Sequence, residues 1–206
     1  IRKNSLEDFK RIQANGKIAM KLAGDNSIVG VKLCTNDDDI LLTTKFGKCI
    51  RTPVEKLRTT KSRTSMGVRG IKLVKGDEII SISVISHTDT TSGESKAFLK
   101  MRSKEKDNDD HIDSDDSDSD ASEVEVKLSN ERYDEMKAKE QFILTLTENG
   151  FGKRSSSYQF RISNRGGSGI MCIATSDRNG NVLASFHVHD DDDIVLIHKY
   201  RQGSGG

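Results

Sequence analysis

Short apolar runs recur along this chain, and the polar joints between them are rich in Gly, Asn and Asp. The runs contain mainly Ile, Val, Leu and Thr. They either alternate with polar residues or continue unbroken, which is typical of β-strands. The pattern therefore predicts an all-β fold. The predicted strands lie at residues 16–22, 28–33, 40–44, 67–73, 79–85, 142–147, 169–175, 182–188 and 194–197.

These strands fall into three similar units that repeat with a period of about 49 residues. Each unit opens with a basic segment, which is followed by a glycine, an apolar strand, a polar turn and two further strands. A β repeat of this length indicates propeller-like blades, because each small sheet must bury its faces against its neighbours. A stacked array of unrelated hairpins is the alternative. We predict units at 1–49, 50–152 and 153–202, with a linker-like tail at 203–206.

The second unit is longer than the others because of an insertion at about residues 88–140. Residues 107–120 are almost all Asp and Ser, so they bury too little apolar surface to offset the entropy cost of ordering, and we predict disorder there. Residues 126–141 have partial helical spacing, and Ser129 with Asn130 is suited to cap a short helix. The insertion is therefore expected to be disordered or partly helical.

The formal net charge of +1 hides a strong asymmetry. Residues 104–141 carry 15 Asp and Glu against 6 Lys and Arg, a charge of −9, so the rest of the chain carries +10. A basic surface of that size suits a polyanionic partner. One hypothesis is that the acidic insertion mimics DNA and competes for the basic surface. The alternative is a tolerated insertion in a surface loop.

The cysteines and the chain start indicate the cellular setting. Cys34, Cys49 and Cys172 are far apart and have no CxxC spacing, so we expect free thiols packed in strands and a reducing cytoplasm. No apolar run approaches the length of about 18 residues that spans a bilayer, so no membrane partner is expected. The first residue is Ile1 and no signal-peptide pattern follows, which predicts a cut inside a longer protein.

The sequence offers few candidates for catalysis or metal binding. His187, His189 and residues 190–193 form one metal-type constellation, but the Asp run also resembles a turn before a last strand. Residues 155–157 are three serines without a paired base at a readable spacing. No phosphate loop of the G-x-x-x-x-G-K-[ST] type is present. We therefore predict no catalytic centre, no metal site and no ATP site.

Several motifs in the same order resemble blades of the C-terminal domain of the DNA gyrase A subunit. One is the run 150–161 (GFGKRSSSYQFR), which is followed by 163–169 (SNRGGSG), and it is the order and spacing of the motifs that make the resemblance specific. Residues 47–53 (GKCIRTP), 67–73 (GVRGIKL) and 177–180 (DRNG) add to it. The resemblance covers nearly the whole chain apart from the insertion and the tail.

This resemblance implies a β-pinwheel, six blades when complete, of which about three are present. It implies a module that wraps duplex DNA around a basic rim and so supports ATP-dependent negative supercoiling by a type IIA topoisomerase. The partners would be the rest of the A subunit and the gyrase B subunit in an A2B2 assembly. ATP and Mg²⁺ would serve the whole enzyme, and this fragment would carry no cofactor.

Two alternatives stay open. The related C-terminal domain of the topoisomerase IV A subunit generally lacks a basic glycine-rich box, and the Arg-Gly-Gly-x-Gly of residues 165–169 favours gyrase. A protein-interaction propeller is a different class of function. It predicts exposed apolar or aromatic patches, whereas this chain has 5% aromatic residues and no Trp.

The box-like stretch 163–169 differs from the gyrase box, which reads roughly Gln-Arg/Lys-Arg-Gly-Gly-Arg/Lys-Gly and belongs to the first blade. Ser163, Asn164 and Ser168 stand where the box has polar or basic partners. The third unit also ends in residues 198–206 instead of a further glycine turn, and the acidic insertion is not a general family feature. These departures leave the role of the box-like stretch open.

The candidate DNA contacts are the basic residues of the segment that opens each unit, because Lys and Arg neutralise phosphates and release counterions. Glycines in the box-like stretch are added because a bare backbone can approach a phosphate closely and offer N–H donors. The set is Arg2, Lys3, Lys10, Arg11, Lys17, Arg51, Lys56, Arg58, Lys61, Arg63, Arg69, Lys153, Arg154, Arg161, Arg165, Gly166, Gly167 and Gly169. Arg69 and Arg161 have pairing with acidic neighbours as an alternative role.

Overall fold

The computed structural model describes residues 1–10, 14–61, 65–107 and 126–198. Within these ranges the chain forms two antiparallel β-sheets, two α-helices and three short 3-10 turns. The 3-10 turns are Leu6–Phe9, Val54–Lys56 and Ser157–Gln159. The predicted all-β architecture with a partly helical insertion is confirmed.

The first sheet has the strand order β3-β1-β2-β6. Its central hairpin joins β1 (Asp38–Thr44) to β2 (Lys48–Pro53), and β3 (Ile79–Ser86) pairs with the other side of β1. The short strand β6 (Ile170–Met171) pairs with the start of β2. The third predicted unit therefore completes the edge of a sheet that belongs to earlier parts of the chain.

The second sheet repeats this arrangement with the order β5-β4-β7. The strands are β4 (Phe142–Thr147), β5 (Gly152–Ser156) and β7 (Val182–Val188). Leu41 pairs with Arg51 and Leu144 pairs with Arg154, so both strands of the second hairpin are offset by 103 residues from those of the first. The register irregularity of the central strand also recurs in the second sheet. The two sheets are thus copies of one structural unit.

Alternating side chains of the first sheet serve two hydrophobic clusters, as the period of two in a strand requires. Leu41 packs with Ile143 and Val182 of the second sheet, so this cluster joins the sheets. Ile40 and Leu42 point the other way and pack beside the 3-10 turn Val54–Lys56. Each fully buried side chain of this kind contributes about 1.5–3 kcal/mol.

The insertion contains the helices α1 (Ser92–Asp107) and α2 (Asn130–Ala138). The predicted helix within 126–141 is confirmed, and the Ser129 side chain accepts from the Arg132 N–H at its start. Helix α1 was not predicted, because its apolar residues find their partner far away in the sequence. Phe98 packs on Tyr158, with ring centroids 4.8 Å apart. Most of the predicted disordered stretch 107–120 lies outside the described residues.

Some of the predicted strands are present in the structure and others are not. Those at 40–44, 79–85, 142–147 and 182–188 are confirmed, and 169–175 is reduced to β6. The predictions at 16–22, 28–33, 67–73 and 194–197 are wrong, since no strand is formed there. Strands β2 and β5 were missed because they are polar and lack alternation, yet their hairpins pair them with β1 and β4. The predicted unit boundary at 49/50 falls inside β2.

Candidate nucleic-acid interface

Basic residues from all three predicted units meet at one cleft of about 140 Å³, here called the basic cleft. None of the described residues that line it is Asp or Glu. Five of the predicted DNA contacts therefore share one surface depression without a neutralising carboxylate in its wall. They are Arg2, Lys3, Lys56, Arg58 and Arg165.

The first two units meet at the floor of the basic cleft through their backbones. The Thr60 N–H donates to the Lys3 carbonyl at 2.9 Å, and the Val68 N–H donates to the Ile1 carbonyl at 2.9 Å. The turn Val54–Lys56 then presents its basic side chain to solvent, because Val54 is fully buried beside it. Backbone pairing between the units thus determines which cations come together.

The side chains in the basic cleft donate to neutral oxygens. Lys3 Nζ lies 2.6 Å from Asn36 Oδ1 and 3.2 Å from the Val54 carbonyl, and Lys56 Nζ lies 3.5 Å from Asn164 Oδ1. Arg2 Nη1 donates to the Ser65 carbonyl at 2.9 Å. For Lys3 and Lys56 these bonds orient the ammonium groups but do not cancel their charge, so the cleft stays electropositive.

Arg165 reaches the basic cleft on the box-like loop, residues 163–169, which is tied to the second unit at both ends. The Ser163 N–H donates to the Arg51 carbonyl at 2.9 Å, and the Lys72 N–H donates to the Gly167 carbonyl at 2.8 Å. A second cavity of about 260 Å³ lies beside this loop and is lined by Arg161 among others. Ser163 and Asn164, which looked like departures from the gyrase box, help to attach the loop, because Ser163 bonds the Arg51 carbonyl and Asn164 accepts from Lys56. Only their position in the box-like stretch could have indicated this role.

The glycines of the box-like loop have a structural role that the sequence reasoning missed. The Gly166 N–H already donates to the Gly70 carbonyl at 2.5 Å, so it is not available to a phosphate. Gly169 has φ +71, and a Cβ there would collide with the Cys49 carbonyl. The prediction that Gly166 offers a free donor to DNA is therefore corrected, whereas Gly169 stays a candidate. Gly167 is exposed and stays a candidate.

Arg51 is not a surface residue, contrary to the prediction that placed it among the DNA contacts. It is 2% exposed, and its Nε lies 2.6 Å from Oδ2 of Asp39, which is fully buried. Its Nη1 donates to the Ser157 carbonyl at 2.9 Å, and His87 Nδ1 lies 2.7 Å from the other Asp39 oxygen. A buried and paired guanidinium cannot reach a phosphate. Arg51 instead links the first sheet to the turn of the second.

The remaining predicted contacts lie apart from the basic cleft. Arg154 pairs with Asp190, and its guanidinium lies 3.9 Å from the centre of the Phe142 ring. Lys10 pairs with Glu7 at 2.5 Å on the surface. Arg11 and Arg63 lie outside the described residues. Lys17 is half-buried, whereas the other members of the set are exposed, namely Lys61, Arg69, Lys153 and Arg161.

The amine of Ile1 lines the basic cleft and responds to its surroundings. Burial, and then the nearby Arg165 charge, lower the pKa of the Ile1 amine below its ordinary value.

The His187 and His189 rings lie 4.5 Å apart, and burial lowers the pKa of His187. No group of three or more His, Cys, Asp or Glu in the described residues is arranged to hold a metal ion. In the same ranges, no helix is long and apolar enough to cross a membrane.

Comparison with known families decides the fold family. A family model described as DNA gyrase C-terminal domain, beta-propeller, matches residues 2–35, 38–86 and 141–189. The chain belongs to this family. The unmatched stretch between the last two segments contains α1 and α2. The family resemblance inferred from the box-like loop and the repeats is therefore confirmed.

Curated relatives agree with this assignment. The DNA gyrase A subunit of Rickettsia felis is 45% identical over 197 residues, which are 96% of this chain and 21% of that protein. The subunit from Granulibacter bethesdensis is 44% identical over 207 residues, 96% of this chain and 22% of that protein. The chain thus spans about a fifth of the length of these bacterial relatives.

Solved structures support the same architecture. A DNA gyrase A C-terminal domain has a TM-score of 0.58 at 19% identity, over 90% of this chain and 44% of that structure. A C-terminal domain of DNA topoisomerase IV has a TM-score of 0.61 at 16% identity, over 92% of this chain and 43% of that structure. At such identities the likeness shows the fold alone, so these structures do not separate gyrase from topoisomerase IV. The family model and the relatives name gyrase.

Proposed function

We propose that this chain is a DNA-binding and DNA-wrapping module of a gyrase A subunit. The observation that carries the proposal is the basic cleft, in which cations from three separate units converge and none of the described lining residues is a carboxylate. Duplex DNA is a dense line of phosphates, and its neutralisation releases counterions. Contacts of this kind position a duplex and carry little sequence information.

The repeated sheets favour an extended contact over a single point of attachment. Arg58 and Arg161 follow the equivalent turns of the two sheets, 103 residues apart, and both are exposed. In this proposal a duplex touches both turns and the basic cleft and bends along the array. Bending 20–30 base pairs by 40–90° costs on the order of 1–6 kcal/mol, so several phosphate contacts must offset it.

The wider context follows from the family. In this proposal the module serves a cytoplasmic type IIA topoisomerase, together with the rest of the A subunit and a gyrase B subunit. That enzyme would introduce negative supercoils with ATP and Mg²⁺. No step through either group is assigned to this chain, since it lacks a phosphate loop and its described residues include no metal-binding cluster.

The salt dependence of DNA binding tests the proposal. Neutralisation of about five phosphates along the basic cleft and the exposed turns predicts a log–log slope of about −4.5, or about a 500-fold loss of affinity between about 50 and 200 mM salt. The 206-residue chain should also bind a duplex of about 100 base pairs more tightly than one of about 20, because only the longer one can wrap. Weak binding without a length preference, by folded protein, would contradict wrapping.

One observation favours a second function, a protein-interaction surface. Val31 and Leu33 are 80% and 77% exposed, in a stretch that also exposes Ile28 and Val29. An exposed apolar stretch is typical of a surface that contacts another protein or another domain. If the DNA-binding test fails, this surface becomes the leading candidate, and loss of partner binding on Val31→Ser with Leu33→Ser would support it.

A further inference from the structure

We propose that the basic cleft is an anion-dependent joint between the units, in which one bound phosphate bridges three chain segments and stabilises their packing. The inference rests on the proposed function, since the DNA backbone would supply the phosphate. It goes beyond that function in one respect: occupancy of the cleft controls the stability of the array as well as its affinity for DNA.

The geometry supports a bridge because the cleft wall comes from segments that are far apart in sequence. Arg2 belongs to the opening segment, Arg58 follows the turn Val54–Lys56, and Arg165 belongs to the box-like loop. Each segment is tied to the next by backbone bonds, such as Thr60 N–H to the Lys3 carbonyl. An anion that contacts two of these cations therefore reinforces the contact between the units that carry them.

Electrostatics explains why the empty cleft should weaken the fold. Like charges at close range repel, and here the described polar partners of Lys3 and Lys56 are neutral oxygens. Some other surface cations of this protein have carboxylate partners, such as Glu78 for Lys45 at 3.0 Å. A phosphate carries the negative charge that the cleft wall lacks, so it replaces repulsion with charge-assisted hydrogen bonds.

The proposal predicts opposite effects of one substitution pair on stability and on binding. Arg58→Gln with Arg165→Gln removes repulsion, so the melting temperature in low-salt chloride should rise by on the order of 2 °C. The same pair should abolish the additional rise that inorganic phosphate produces at matched ionic strength. It should also reduce the magnitude of the salt slope for duplex DNA by about 1, because the phosphate held in the cleft is no longer neutralised.

The matched control is Lys153→Gln with Arg161→Gln, because both residues are exposed predicted contacts outside the basic cleft. Arg161 is the counterpart of Arg58 in the second sheet. This pair should weaken DNA binding yet leave the stabilisation by phosphate unchanged. If neither pair changes DNA binding, the proposed function fails, whereas the response to inorganic phosphate still tests the joint.

Two results would overturn the joint. One is a lower melting temperature of the Arg58→Gln/Arg165→Gln variant in chloride, which would show that the two arginines stabilise the fold without an anion. The other is an equal rise in melting temperature with phosphate for this variant and for the Lys153→Gln/Arg161→Gln control, which would show that the stabilisation is non-specific. Should the double variant fail to fold, Arg165→Gln alone and the charge-preserving Arg165→Lys provide the same contrast. The Lys variant should keep the phosphate response and the Gln variant should lose most of it.

Discussion

Arg51 and Arg154 occupy the same position in two copies of one hairpin, yet they have opposite environments. Each lies on the second strand of its sheet, opposite Leu41 and Leu144 respectively. The Arg51 side chain is 2% exposed and bonded to Asp39, whereas the Arg154 side chain is 45% exposed and lies over a phenylalanine ring. The repeat position alone therefore does not determine whether an arginine can meet DNA.

Two neighbours account for the difference. Asp39 and Phe142 are the equivalent residues on the first strand of each hairpin, so one arginine finds a carboxylate and the other an aromatic face. The Ser157 carbonyl from the next unit also accepts a hydrogen bond from Arg51. A guanidinium is buried only when such partners are present, because an unpaired buried charge is very costly.

The largest effect is expected from removal of the buried carboxylate. Asp39→Ala leaves Arg51 charged, buried and unpaired, so the free energy of unfolding should fall by about 3–5 kcal/mol. Equilibrium unfolding in urea measures it. Asp190→Ala is the control, since Asp190 pairs with the exposed Arg154 and its loss should cost less than about 1 kcal/mol. Similar losses in both variants would show that the two environments do not differ energetically.

The hairpin glycines give a second, smaller contrast between the sheets. Gly47 and Gly150 have φ +79 and +83, but a Cβ on Gly47 would collide with the Ile173 carbonyl, whereas nothing lies within 4 Å of that position on Gly150. Gly150→Ala should cost about 1–2 kcal/mol, the strain of a left-handed backbone. Gly47→Ala adds a backbone collision and should cost at least about 3 kcal/mol. The urea midpoints of the two variants measure this difference in stability. Equal midpoints would mean that the third unit does not pack on the first hairpin.

The smallest effect concerns DNA. Arg154→Gln should reduce the magnitude of the salt slope by about 1 and lower the free energy of unfolding by less than about 1 kcal/mol, because the residue is exposed. Arg51→Gln should do the reverse, with a large loss of stability and an unchanged slope for the protein that remains folded. Titrations at several salt concentrations, paired with urea unfolding, separate the two. A change of slope for Arg51→Gln would contradict its burial.

Prediction from sequence worked where neighbouring residues carry the information. Apolar and β-branched residues indicate the strands at 40–44 and 182–188. A serine cap indicates the helix that begins at Asn130. The candidate site was harder to predict. Arg58 and Arg165 lie 107 residues apart, and no local pattern indicates that their units pack against each other at the basic cleft.

The sequence by itself determined the all-β character, the repeat of about 49 residues and the resemblance to the gyrase family, because these depend on composition and spacing along the chain. The tertiary structure alone decided that the polar segments Lys48–Pro53 and Gly152–Ser156 are strands. It also decided that Arg51 is buried and that the backbone of Gly169 packs closely against the Cys49 carbonyl. The physical reason is the same in each case. Strand pairing, desolvation and close backbone packing depend on a partner that arrives from another unit.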